Sequence, residues 1–369
     1  MSIADFCNKY VQGLVAYQPG KPIEETAREL NLAPEDIVKL ASNENALGPS
    51  PAAVAAAQQA CTGVNLYPDG SSFALRSKLA ELWGVSFEQT VVGAGSSELI
   101  ELVSHAFLNP QAEVVAAQYS FTLYLLMSRL FNCRYTEVPN KPDMTHDLAG
   151  MLRAITPATR LVFITNPTNP VGTMVQQEEL DAFMAAVPPH VVVCFDEAYI
   201  HFAEQQPDTF KYLRAGQPVV ILRTFSKAYG LAGLRVGYAI TSPEIADLMN
   251  KARSPFNVNL PAQAAALAAL ADREHLAASV AMVAEGRRQY EAAFREMGLD
   301  FVPSHTNFIL VKVGCGRSVF ESCLREGVIL RPMGGYGLGE YIRITIGTPQ
   351  QMRTLVEALR DIVSEGEKP

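Results

Sequence analysis

A lysine at the end of an apolar strand is the residue in this chain best suited to covalent chemistry. Val219-Val220-Ile221-Leu222 runs into Thr224-Phe225-Ser226-Lys227, and Arg235 follows eight residues later in a glycine-punctuated stretch. Burying an ammonium is costly unless its charge is paired or lost. An amine placed there is a nucleophile toward carbonyls. Taken alone, Ser226-Lys227 reads first as a surface lysine after a strand, so the companions decide.

Four companions stand where other apolar runs stop. Val91-Val92-Gly93-Ala94-Gly95-Ser96-Ser97-Glu98 leads from strand into helix. Free amides at Gly95, Ser96 and Ser97, with two hydroxyls, suit a compact phosphate monoester; simple serine capping of a helix starting near Glu98 is the alternative. A dinucleotide fingerprint is disfavoured, because Glu98 occupies its sixth place and Ala116-Ala117-Gln118-Tyr119 stands where its acidic residue belongs. Phe121, after Glu113 to Ala116, can stack on a planar heterocycle or simply join the core. Thr165-Asn166-Pro167-Thr168-Asn169-Pro170 carries two Asn-Pro pairs that fix Asn169 in a crevice, its amide a donor to a ring oxygen. Asp196, at the end of Val191 to Phe195, needs a cationic or protonated partner, and Tyr199 offers a phenol three residues on. Together these groups match a phosphorylated pyridine aldehyde: a lysine for its carbonyl, an acid for its ring nitrogen, a cradle for its phosphate. Pyridoxal 5'-phosphate uses this set so that the ring acts as an electron sink.

The elements that must position these groups follow from patterning. Thr90–Val92, Glu113–Ala116, Leu161–Ile164, Val191–Phe195, Val219–Leu222 and Val236–Ile240 are near-continuous apolar runs alternating with helical stretches. Such runs suit strands covered on both faces by helices, hence an α/β domain with a mainly parallel sheet. Ligands of such sheets lie beyond the carboxyl ends of the strands, where every motif above stands. From Pro261 the pattern shifts to long helices, Pro261–Leu270 and Glu274–Met297. The strands Asn307–Val311, Val328–Arg331 and Tyr341–Thr345 follow, reading as a smaller α+β domain completed by the N-terminal arm. The expected division is a large cofactor-binding domain over residues 41–259 and a small domain from 1–40 and 260–369. Earlier in the chain, Pro22 is expected as the first residue of a helix ending near Asn31, and another helix follows Ser50-Pro51.

Composition narrows the partners. A net charge of -8 and a pI near 5.4 argue against nucleic acid or an anionic membrane surface. Six scattered cysteines without a Cys-x-x-Cys pair fit free thiols in a reducing, cytoplasmic setting, and neither they nor the histidines show metal-ligand spacing. Asp5 and Lys9 interrupt any secretory apolar run. The alanine-rich stretch Pro261–Ala271 is too short to span a bilayer.

Over nearly its whole length the chain resembles the fold type I pyridoxal-phosphate aminotransferases, and within them the histidinol-phosphate aminotransferase subfamily. The phrases that carry the likeness are Leu40-Ala41-Ser42-Asn43-Glu44-Asn45, Leu66-Tyr67-Pro68-Asp69-Gly70, Gly95-Ser96-Ser97-Glu98, Asn166 to Gly172, Asp196-Glu197-Ala198-Tyr199, Thr224 to Arg235 and Ile342-Arg343-Ile344-Thr345-Ile346-Gly347. The resemblance implies an aspartate aminotransferase-like fold with a mainly parallel, seven-stranded-type sheet flanked by helices. It implies a Schiff base at Lys227, Asp196 on the pyridine nitrogen, Asn169 and Tyr199 on the ring oxygen and Phe121 stacked on the ring. Ser96, Ser97, Thr224, Ser226 and Arg235 would hold the phosphate, with Tyr67 reaching it from a neighbouring subunit of a homodimer. Arg343, helped by Arg331, would receive a substrate carboxylate or phosphate, and Tyr17 and Asn43 would line the substrate side. The expected reaction is ping-pong transfer between histidinol phosphate and 2-oxoglutarate. Aromatic amino-acid transamination and threonine-phosphate decarboxylation are rivals that share the cofactor, and a nicotinamide-dependent oxidoreductase is the rival from another class. The glycine-rich run between Arg331 and Arg343 reads as a mobile lip.

Overall fold

The computed structural model describes residues 2–14 and 22–364. After a short β1 (Val38–Lys39), seven strands build the principal sheet: β2 (Thr90–Gly93), β3 (Glu113–Ala117), β4 (Arg134–Val138), β5 (Thr159–Thr165), β6 (Val192–Asp196), β7 (Val219–Thr224) and β8 (Gly237–Thr241). Their spatial order is β2-β8-β7-β6-β5-β3-β4. Only β8 runs against the rest, antiparallel to both β2 and β7; the neighbours from β7 to β4 pair in parallel. The carboxyl ends of six strands therefore share one edge, and the reversed β8 brings its amino end, with Arg235 just before it, to that same edge.

Alternate residues of the apolar strands enter opposite cores, as full coverage by helices requires. Val115, Val162, Ile164, Val193, Phe195 and Ile221 face one buried cluster; Val114, Leu161, Phe163, Cys194, Val220 and Leu222 face the other. The expected strands are present, and β4 is an addition. Its exposed Arg134 and Glu137 mark it as the polar outer strand, with no apolar run to announce it.

A third core gathers around β10 (Phe308–Lys312) and β13 (Tyr341–Thr345), paired antiparallel. Their four-stranded sheet also holds β9 (Phe301–Val302) and β12 (Arg331–Pro332), while β11 (Val328–Ile329) pairs with β1. The single strand expected over Val328–Arg331 is thus split at buried Leu330, and its halves serve two sheets. The helix Arg273–Glu296 and the terminal helix Pro349–Ser364 cover this core. The helix Leu260–Ala271 instead packs its buried alanines with Ala53 of helix Pro51–Ala60 in the cluster of the large sheet. That second helix follows Ser50-Pro51 as expected, and Ser50 is its cap. Pro22 is the cap of helix Ile23–Leu30 and not its first residue, and Asn31 closes the helix in left-handed geometry.

Candidate active site

Ser96 and Ser97 open the helix Ser96–Phe107, whose cap is Gly95 at φ +85°. Serine capping is not how this turn is held. The Glu98 carboxylate accepts from the Ala94 amide at 2.5 Å and from Asn257 Nδ2 at 2.6 Å. The residue that spoils a dinucleotide fingerprint therefore fastens the turn, and the amides at the helix start remain aligned for an anion. Arg235 crosses beside it. A Cβ on Gly95 would lie 2.4 Å from Arg235 Nη2, so the guanidinium needs glycine there. Arg235 itself adopts φ +55°, a strained conformation for a bulky side chain and one that marks functional positions. Its Nη1 donates to Ser226 Oγ at 3.3 Å, and the Ser226 amide donates to Thr224 Oγ1 at 3.1 Å. Amides, hydroxyls and one guanidinium thus converge where β2, β7 and β8 meet.

One parallel register further along, Asp196 and Thr165 are cross-strand partners on β6 and β5. Asp196 is buried; its Oδ1 accepts from the Ala198 amide at 3.2 Å and its Oδ2 from the Tyr124 phenol at 2.7 Å. Burial pushes its pKa above the usual carboxylate value, while those two donors and Lys227 oppose the rise and Glu197 adds to it. Directly behind, Glu197 forms a buried ion pair with Arg223 at 2.7 Å.

Lys227 Nζ donates to Asn43 O at 3.2 Å and Ser42 O at 3.4 Å, and lies 5.6 Å from the centre of the Tyr199 ring. Asn43, also at positive φ, joins three parts of the chain. Its Nδ2 donates to the Tyr199 phenol at 3.0 Å, its backbone amide donates to Thr345 Oγ1 at 3.0 Å, and its carbonyl accepts from Asn307 Nδ2 at 3.0 Å. Burial raises the Tyr199 pKa, with nearby Arg343 acting the other way. Arg343 donates from Nη1 to Asn169 Oδ1 at 2.6 Å and from Nη2 to Ala41 O at 3.1 Å. Arg331 sits directly opposite Arg343 in the β12–β13 pair. Like charges face to face across a sheet are unfavourable, and an anion between them removes that cost.

All these groups line one cleft of about 260 Å³: Asn43, Ser96, Ser97, Phe121, Asn169, Asp196, Tyr199, Thr224, Ser226, Lys227, Arg235, Arg331 and Arg343. Of the expected residues, one stands apart and one is not described. Tyr67 is 82% exposed outside the cleft, stacked on Phe256 at 4.6 Å, and Tyr17 lies outside the described residues. Sequence reasoning missed Thr165 and Tyr336, which also line the cleft, and Tyr124 behind Asp196. Tyr336 stands in the glycine-rich run, which forms a turn at Gly334–Tyr336 anchored by buried Met333 and Leu338. Its phenol meets Thr122 Oγ1 at 2.8 Å, bridging the cleft mouth next to Phe121. Among the described residues there is no cluster suited to a metal ion, and no helix is long and apolar enough to cross a membrane.

The family profile of class I and II aminotransferases matches residues 35–359. The chain belongs to the class I and II aminotransferase family. It is 62% identical to a histidinol-phosphate aminotransferase of Akkermansia muciniphila, over 98% of this chain and 100% of that one. A second relative, histidinol-phosphate aminotransferase 2 of Pseudomonas fluorescens, is 48% identical over 96% of this chain and 97% of its own length. Among solved structures, histidinol-phosphate aminotransferase of Sinorhizobium meliloti in complex with pyridoxal-5'-phosphate superposes with a TM-score of 0.89. That pair shares 29% identity, covering 97% of this chain and 98% of the other. The aspartate aminotransferase-like fold type I expected from the sequence is thereby established for this aminotransferase.

Proposed function

We propose that this aminotransferase uses pyridoxal 5'-phosphate to exchange an amino group between histidinol phosphate and 2-oxoglutarate, giving imidazole-acetol phosphate and glutamate in histidine biosynthesis. The observation that carries this reading is one cleft holding a lysine amine, a buried carboxylate, an amide-hydroxyl-guanidinium cradle and a facing pair of arginines. The donor set fits the cofactor part by part. The cradle of Ser96, Ser97, Thr224, Ser226 and Arg235 matches a phosphate. Asp196 matches a protonated ring nitrogen, Phe121 a ring face, and Asn169 with Tyr199 a ring oxygen.

When bound, the cofactor supplies a carbonyl that condenses with amines and a ring that accepts the electron pair left at the substrate Cα. Lys227 would hold the cofactor at its carbonyl through Nζ. The same Nζ would be the base that moves the substrate Cα proton. Asp196, anionic and shielded from water, keeps positive charge on the ring nitrogen where the electron pair must be received. Tyr199, held by Asn43, donates toward the ring oxygen. Arg343 and Arg331 bind the anionic groups that alternate in the pocket, a phosphate in one half-reaction and a carboxylate in the other.

Dimerisation follows the same reading. Val64, Leu66, Tyr67 and Phe73 expose large apolar side chains close together in sequence, as do Ile3 and Phe6 near the N-terminus. A second copy covering them would let Tyr67 reach its partner's cradle. Six cysteines with no disulfide among them suit a cytoplasmic setting. We also read two lobes, with helix Leu260–Ala271 assigned to the large one because its alanines pack there. The test is the absorption spectrum of the holoenzyme. Histidinol phosphate bleaches the visible band at micromolar concentration while phenylalanine and tyrosine leave it; the reverse order would transfer the assignment to an aromatic aminotransferase.

A further inference from the structure

Tyr124 is absent from the cleft lining, yet its phenol is fully buried and donates to Asp196 Oδ2 at 2.7 Å. Because that hydrogen is committed to the carboxylate, the phenol oxygen receives the hydroxyl hydrogen of Thr165, 2.8 Å away. A relay therefore runs from Thr165 through Tyr124 to Asp196. The Tyr124 ring is clamped: it stacks on Phe163 at 4.2 Å and 6°, and meets Phe121 edge-on at 5.9 Å and 87°. One side chain thus touches both the ring that lines the cleft and the carboxylate that ends β6.

We infer that Tyr124 is a positioning residue, which fixes Asp196 in the orientation and charge state that recognise a ring N–H, acting through that carboxylate and not by contact with the ligand. The inference rests on the reading of Asp196 proposed above. Its physical basis is the conflict at Asp196, where burial favours the neutral acid. A neutral donor 2.7 Å from Oδ2 stabilises the anion without adding a countercharge that would compete with the ring. Tyr124 can act only as that neutral donor, because burial, and then the adjacent Asp196, push its pKa well above the usual phenol value. Besides the Ala198 amide, the charged groups that bear on Asp196 are Glu197, which opposes its anion, and Lys227, which favours it. Cys194, on the same strand, is itself buried and stays a thiol.

The decisive test compares two ligands of the apoenzyme: pyridoxal phosphate and its carbocyclic analogue with C–H in place of the ring nitrogen. Their affinity ratio reads the Asp196 contact alone, since phosphate, carbonyl and ring face are common to both. In Tyr124→Phe the ring packing is kept and one charge-assisted hydrogen bond is lost, so the preference for pyridoxal phosphate falls about five- to tenfold while analogue affinity holds within about twofold. A merely structural Tyr124 would weaken both ligands equally, and that result, or an unchanged ratio, overturns the inference. A wild-type apoenzyme with no preference would overturn the Asp196 reading first and this inference with it, so the two failures are distinguishable. Should Tyr124→Phe fail to fold, Thr165→Val decides. It leaves both rings in place and lowers the ratio about twofold or more if the relay operates; an unchanged ratio there overturns the inference.

Discussion

Replacing Gly237 by alanine tests the cradle without replacing any residue proposed to contact the cofactor. Gly237 opens β8 between Gly93 of β2 and Thr224 of β7. A Cβ there would lie 2.7 Å from Ser96 N, 2.9 Å from Gly95 C and 3.0 Å from Arg223 O, all backbone atoms. Ordinary contact needs about 3.5 Å, so the Gly95–Ser96 turn must retreat by roughly 0.5–1 Å. Overpacking of this kind costs about 1–3 kcal/mol of stability. The functional effect is more specific, because a shift that large takes the Ser96 amide beyond hydrogen-bond range of a bound phosphate. Losing one hydrogen bond to a charged group costs about 1.5–3 kcal/mol, roughly ten- to a hundredfold in Kd. The assay is equilibrium binding of pyridoxal phosphate and of pyridoxal to the apoenzyme. The phosphorylated ligand weakens by at least about tenfold and the unphosphorylated one by less than about threefold. Equal weakening of both, or none, would refute the placement of the phosphate at this turn.

Two further outcomes follow from buried charge. Arg223→Met leaves the Glu197 carboxylate buried without its guanidinium, and Trp83 loses the cation 4.2 Å above its ring. Urea unfolding should show a loss of about 3–5 kcal/mol, part of it recovered when Glu197→Gln is added. His146 is buried and burial depresses its pKa to about 4. Its unfolded form takes a proton near pH 6.5 and the folded form does not, so stability declines as pH falls from about 6.5 toward 4. Between pH 7 and pH 5 the wild-type protein should lose about 2 kcal/mol more than His146→Gln in urea unfolding; equal losses would place His146 in contact with solvent.

Much of the site could be read from residue order because its chemistry stands directly after buried strands. Asp196 ends β6 and Lys227 follows β7 by three residues, so apolar runs located them. The same logic found Ser96, Phe121 and Asn169. Arg235 was found by its motif, but its arrival at the shared edge depends on β8 running backward, a pairing no local pattern announces. Long-range contacts stayed hidden for the same reason. Tyr124 reads as one more apolar helix position until the fold brings it to Asp196 across 72 residues, and Tyr336 meets Thr122 across 214. Asn43 was legible as a cleft residue; its hydrogen bonds to Tyr199 and Thr345 were not. Polarity concealed β4, whose outer position lets arginine and glutamate replace the apolar run.

The covalent role of Lys227 is tested most directly by reducing the holoenzyme with borohydride and mapping the labelled peptide. A pyridoxyl group on the peptide that contains Lys227, and its absence from Lys227→Ala, is the predicted result. Label on another lysine, or on none, would contradict the assignment of this cleft.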